Sequence, residues 1–229
     1  MNPVNVEEYI STLEWEFEKN ADPATAAAQS AYMKNLFPYY GLKTPLRREI
    51  TAPFLAKEHL PSKEDAEKIV KALWEKPQRE YHYVAQELIF KYQKQFEEKD
   101  LELFVFMVAN KSWWDTVDFI AARPIGEYFK KFPHQRDANI KKWLASGNLW
   151  LQRSAILFQL HYKDKLDTDF LAYVINSLLG SKEFFINKAI GWTLRQYSRT
   201  NPEWVVEFVN KTDNLAGLSK REALRLIQG

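Results

Sequence analysis

The segments Ser112-Trp113-Trp114-Asp115-Thr116-Val117-Asp118, Trp150-Leu151-Gln152-Arg153 and Lys188-Ala189-Ile190-Gly191-Trp192 decide how this chain is read. Asp118, Arg153 and Lys188 follow one another at equal steps of 35 residues, as if one structural unit recurred with a charge at the same place in each. Trp114 precedes Asp118 by one helical turn and Trp192 follows Lys188 by one. Positions i and i+4 of a helix share a face. The register therefore places two tryptophans, an aspartate, an arginine and a lysine on one wall, an unusual set for a solvated surface.

Stacking the chain at the same step extends the pattern. The segments 78–94, 113–129, 148–164 and 183–199 align with Tyr81, Thr116, Leu151 and Ile186 in one column. A second column holds Ala85, Ile120, Ala155 and Ile190, and a third Tyr92, Glu127, Tyr162 and Tyr197. Each segment is followed by a second amphipathic one: 101–108, 137–144, 170–179 and 203–209. Helix pairs recurring at this period mark an α-solenoid, and no alternating strand pattern or hairpin dipeptide competes. The expectation is an all-α stack of HEAT-like helical pairs with a concave binding face. It forms one domain over 1–229, with 1–76 as a helical N-terminal cap and 77–229 as the repeats. Helix starts are expected at Thr44-Pro45, Ser62, Ser112, Asn201-Pro202 and Ser219, on capping-box or cap-plus-proline grounds. Pro124 removes an amide inside the helix that carries Asp118 and predicts a kink there.

Composition agrees and narrows the function classes. Glycine is scarce (7 residues), so there is little loop-building sequence, and aromatics reach 15%, enough to fill curved helical layers. A net charge of +2 neither demands nor excludes a nucleic-acid partner, because a basic face can be offset by an acidic one. With no cysteine, disulfides, thiolate metal sites and a cysteine nucleophile are excluded. No apolar run is long enough to span a bilayer, and Met1-Asn2-Pro3-Val4-Asn5 does not read as a signal peptide, so a soluble protein is expected, cytoplasmic if bacterial; a monomer is expected as well. The four histidines lack metal-binding spacing, and there is no glycine-rich phosphate loop or nucleophile elbow; no metal and no cofactor are expected.

Each candidate residue has an ordinary structural reading beside the functional one. Adjacent helical residues point about 100° apart, so a buried Trp113 would turn Trp114 towards the groove. Asp118 is either solvated, paired with Arg153, or placed to stabilise a developing positive charge and orient a water. Arg153 is either a structural ion-pair partner or a planar fork suited to phosphate, and Lys188 a weaker version of the same choice. Arg47-Arg48, Lys130-Lys131 and Lys141-Lys142 are either backbone contacts or solvated charge.

The motifs Lys111-Ser-Trp-Trp-Asp-Thr-Val-Asp118, Trp150-Leu-Gln-Arg-Ser-Ala-Ile-Leu-Phe158 and Ser181-Lys-Glu-Phe-Phe-Ile-Asn-Lys-Ala-Ile-Gly-Trp192 resemble the signature of the AlkD-like DNA alkylation repair family. Tyr32-Met-Lys-Asn-Leu-Phe37 and Gly41-Leu-Lys-Thr-Pro-Leu-Arg-Arg48 match it as well, so the resemblance covers almost the whole chain. It implies a HEAT-like-repeat DNA glycosylase acting on double-stranded DNA. Such enzymes remove cationic N3- and N7-alkylated purines such as 3-methyladenine and 7-methylguanine, without a base pocket. It also implies that Trp114, Asp118 and Trp192 line the damaged nucleotide, and that Arg153 supports the DNA backbone and the site. Lys43, Thr44 and Pro45 resemble a stretch that approaches the opposite strand, although a Thr-Pro helix start accounts for them equally well. Two other classes stay open on the residues alone: a DNA- or RNA-binding solenoid without catalysis, and a protein-binding scaffold.

Overall fold

The computed structural model describes residues 5–227, and every regular element among them is helical. Met1 to Val4, on which most of the signal-peptide reading rests, lie outside them. The chain divides into two compact units, 1–96 and 97–229.

The first unit contains α1 (Val6–Lys19), α2 (Pro23–Tyr32), α3 (Thr44–Thr51), α4 (Lys63–Glu75) and α5 (Arg79–Phe90). Its core is Leu13 and Phe17 of α1 against Ile69, Leu73 and Trp74 of α4 and Tyr81 and Leu88 of α5, all fully buried. Ser62 caps α4 as its sequence predicts, its hydroxyl accepting from the Asp65 amide at 3.1 Å. Thr44-Pro45 is shifted by one: Lys43 holds the extended cap position, Thr44 is the first helical residue, and no side chain caps the turn. The loop into α3 is fixed from below by Glu80. Its buried carboxylate accepts backbone N–H bonds from Tyr40 (3.1 Å), Gly41 (3.0 Å) and Leu42 (3.2 Å). Gly41 sits at φ +93°, and a Cβ there would lie 2.1 Å from the Asp22 carbonyl oxygen, so only glycine permits this passage beneath α2.

The second unit contains α6 (Asp100–Ala109), α7 (Trp114–Ile120), α8 (Gly126–Lys131), α9 (Arg136–Ala145), α10 (Leu149–Leu157), α11 (Thr168–Asn176), α12 (Phe184–Tyr197), α13 (Pro202–Lys211) and α14 (Gly217–Leu224). α10 packs between α7 and α12, while α6, α9, α11 and α13 contact these helices as their second-layer partners. This is the helix-pair stacking of an α-solenoid. The repeat columns explain it. Thr116, Ile120, Ala155, Ile186 and Ile190 are at most 1% exposed, whereas Leu151 in the first column and Glu127 and Tyr162 in the third remain half-buried. Truncating one of these isoleucines to alanine would cost about 2–5 kcal/mol.

Four local expectations are refined. Pro124 sits in a π-helical turn, Ala121–Ile125, between α7 and α8, which accommodates the missing amide. α10 ends at Leu157 instead of running on to Asp164, because Gln159 turns the chain by pairing with the Asp167 backbone, accepting from its amide at 2.8 Å. α7 starts after an extended Trp113, and Ser112 instead donates its hydroxyl to the Val108 carbonyl. α14 starts at Gly217, so Ser219 is an interior residue whose hydroxyl donates to the Asn187 carbonyl of α12 at 2.8 Å. Asn201 does cap α13, accepting from the Trp204 amide at 3.0 Å.

Candidate functional site

Asp118 of α7 and Arg153 of α10 form a two-pronged ion pair. Arg153 Nε donates to Asp118 Oδ1 at 2.7 Å and Nη2 to Oδ2 at 2.9 Å. The third nitrogen, Nη1, donates to the Phe185 backbone carbonyl in the first turn of α12. One guanidinium thus ties three successive repeats together. The Arg153 side chain is 4% exposed and that of Asp118 16%, so the cation is enclosed and one edge of the carboxylate reaches solvent. Burial pushes the Asp118 carboxyl above the usual carboxylate range; the Arg153 fork opposes that rise and the neighbouring Asp115 adds to it.

This geometry matches the ion-pair reading of Arg153: all three guanidinium nitrogens are engaged inside the fold, and the residue holds Asp118 in place. Arg47 is engaged in the same way. It is 4% exposed and bidentate to Glu87 at 2.9 and 3.0 Å. Arg48 is 68% exposed on its side chain, and Lys43, Thr44 and Pro45 are exposed around the start of α3.

Trp114 and Trp192 are each half-buried, on the helices that flank α10. Lys188, one turn before Trp192, is half-exposed and engaged by Glu222 of α14 at 2.8 Å. Glu222 also receives Arg195 at 2.7 Å, and Lys188 above all holds its carboxyl below the usual range. α14 lies unusually close here: a Cβ on Gly191 would stand 2.5 Å from the Glu222 Cβ and 3.1 Å from Ser219. Glycine at that position lets the two helices meet and sets Glu222 against Lys188.

Sequence reasoning did not anticipate the aromatic layer that supports the ion pair. Trp113, Trp150 and Phe185 pack as a three-ring cluster with centroids 5.1–5.5 Å apart, one ring from each repeat. All three stand at the starts of α7, α10 and α12, a signal the sequence does carry. Glu222 left no such signal, since it falls outside the repeat register. Among the described residues no group of three or more His, Asp or Glu side chains is arranged to hold a metal.

The stack defines a class: an α-solenoid with a carboxylate clamped between neighbouring repeats. The comparisons place it more closely. The chain belongs to the DNA alkylation repair enzyme family, whose model matches residues 13–227. A solved structure described as a predicted DNA alkylation repair enzyme from Enterococcus faecalis is similar at 34% identity and a TM-score of 0.83, over 90% of this chain and 96% of that one. No curated protein matches the chain. Membership carries a role in DNA repair, with DNA as the partner and enzymatic repair of alkylation damage as the family's activity.

Proposed function

We propose that the protein is a monofunctional DNA glycosylase that hydrolyses the N-glycosidic bond of cationic N3- and N7-alkylated purines in duplex DNA. The observation that carries this reading is the partly exposed Asp118 carboxylate, clamped by Arg153, one turn from the half-buried ring of Trp114. Alkylation at N3 or N7 makes the base a leaving group that needs no further protonation. As the bond from C1′ to the purine nitrogen breaks, its electron pair neutralises the purine and the sugar gains oxocarbenium character. Asp118 stabilises that charge electrostatically. Arg153 fills two of the roughly four lone-pair positions on the carboxylate. The remaining ones can accept from a water whose oxygen attacks C1′ and whose proton passes to the carboxylate or to solvent.

The arginine has two opposed effects. It weakens the net field of Asp118, and it favours the ionised form against the cost of burial. The tryptophan faces select a cationic nucleotide by cation–π attraction, each worth roughly 0.5–2 kcal/mol, which disfavours neutral bases. Lys188 spends its amine on Glu222, and an amine in an ion pair is a poor Schiff-base nucleophile, which supports hydrolysis without a lyase step. We further propose that the protein acts without cofactor or metal, as a cytoplasmic monomer.

Incubating the protein with duplex DNA containing 7-methylguanine and assaying free base tests the proposal. Release of the methylated base with the strand left uncut is expected. Tight DNA binding without release would favour a non-catalytic DNA reader.

A further inference from the structure

α3 presents its apolar side outward. Its sequence sets Leu46 and Ile50 one turn apart on one face, and Arg47 and Thr51 one turn apart on the next. An ordinary surface helix buries the apolar pair and exposes the polar one. Here Arg47 and Thr51 are buried, while Leu46 is 38% exposed and Ile50 half-buried. Arg47 fixes that rotation, because its two bonds to Glu87 of α5 hold its face inward.

The outward stripe of Leu46 and Ile50 continues into Pro53 and Phe54 and forms one wall of a groove of about 480 Å³. Thr12, Glu16 and Lys19 of α1 form the other. Trp15 shares that face of α1 by its spacing and is 56% exposed, with the Lys19 ammonium 4.6 Å from the centre of its ring. The groove shares no residue with the Asp118 site. Apolar side chains left open side by side on two helices mark an interaction surface.

Charge identifies the partner. Glu16 and Glu49 line the groove from its two helices, and neither is in an ion pair among the described residues. α1 carries five glutamates against one lysine, of which Glu14 alone is paired across the fold, with Lys76. Such a rim repels phosphates, whether of DNA or of an anionic lipid surface, and attracts cationic side chains. From Thr12 to Lys19 the α1 wall runs about 10 Å, the length of two helical turns. A helix laid along it would set apolar anchors against Leu46, Ile50 and Phe54 and basic flanks beside the two carboxylates.

We propose that the groove between α1 and α3 docks a basic amphipathic helix of a partner protein. The proposal is independent of the excision reading and stands or falls without it.

The test uses the full chain. The probe is a fluorescein-labelled peptide of about four helical turns, with leucines on one face and lysines flanking them, followed by anisotropy. Saturable binding in the micromolar range is expected, and a peptide with glutamates in place of the lysines should bind at least tenfold more weakly. Trp15→Ser with Leu46→Ser removes apolar surface at two exposed positions without adding charge. It should melt like the wild type and weaken binding by roughly tenfold or more. Glu16→Gln with Glu49→Gln should weaken it as well, whereas Glu7→Gln with Glu8→Gln, the same charge removed from α1 outside the groove, should not. Absence of saturable binding overturns the proposal, and so does equal weakening by the two glutamate pairs, which would reduce the attraction to diffuse charge. A dimer of the wild type in sedimentation that the Trp15→Ser, Leu46→Ser variant dissolves would give the groove to a second copy instead. Weaker binding of duplex DNA by that variant would give it to DNA; unchanged DNA affinity is expected.

Discussion

Asp118→Asn separates the proposed chemistry from the architecture, because the residue is the carboxylate of the proposal and the ion-pair partner of Arg153. The wild-type carboxylate accepts two charge-assisted bonds, at 2.7 and 2.9 Å, from an arginine that is 3% exposed. Removing one partner of a fully buried pair costs about 3–5 kcal/mol. Here the loss is smaller. Asparagine keeps one acceptor oxygen, Arg153 keeps the Phe185 carbonyl, and the carboxylate edge is already wet. We place the cost at about 2 kcal/mol, which lowers the Tm of a chain this size by about 4–8 °C. A protein with a stability of about 5–15 kcal/mol stays folded at 25 °C under that loss. Excision, by contrast, should fall by roughly 10²–10³-fold, the effect of losing an electrostatic group at a developing charge. DNA affinity should hold or rise, since a negative charge near phosphates is gone. Melting temperature, DNA affinity and single-turnover release of 7-methylguanine are measured on one preparation, well below the melting point. A folded variant that excises at the wild-type rate would refute the argument and leave Asp118 as the counter-ion of Arg153 alone.

Three further outcomes follow. Burial raises the Asp118 carboxyl, so single-turnover excision should lose activity as pH falls through a point above the ordinary aspartate value of about 3.9, and the residual rate of Asp118→Asn should lack that limb; a wild-type profile flat down to pH 4 contradicts this. Glu222→Gln removes the shared counter-charge of Lys188 and Arg195, so the salt dependence of DNA binding should steepen by about 0.9 for each phosphate newly contacted, and an unchanged slope removes both cations from the DNA interface. Gly191→Ala forces a Cβ to within 2.5 Å of Glu222, an overpacked contact worth about 1–3 kcal/mol that thermal melting should register; an unshifted melting temperature shows that α14 yields freely.

The sequence made the repeat legible because its signal is periodic burial. Ile120, Ala155 and Ile190 occupy one column and one packed layer, and the equal spacing of Asp118 and Arg153 became a direct ion pair. What stayed hidden depends on tertiary contact. Whether Arg153 turns its fork inward or outward is set by the Phe185 carbonyl, a backbone atom that no side-chain pattern reveals. Arg47 and Arg48 read alike as a basic pair, yet α3 buries one on Glu87 and exposes the other. Ser219 resembled a helix cap until α12 packed over it. Ser62 keeps its predicted cap, whereas Ser219 loses it because a neighbouring helix claims the hydroxyl.

The central claim is that the Asp118 wall hydrolyses the glycosidic bond of cationic alkylpurines. Its most direct measurement is single-turnover incubation of excess wild-type protein with duplex DNA carrying one 7-methylguanine, with free base and strand integrity followed together. The account predicts release of 7-methylguanine and an intact strand holding an abasic site, with unmodified guanine in the same duplex retained. A duplex that is bound but keeps its 7-methylguanine at the spontaneous rate of loss would contradict it.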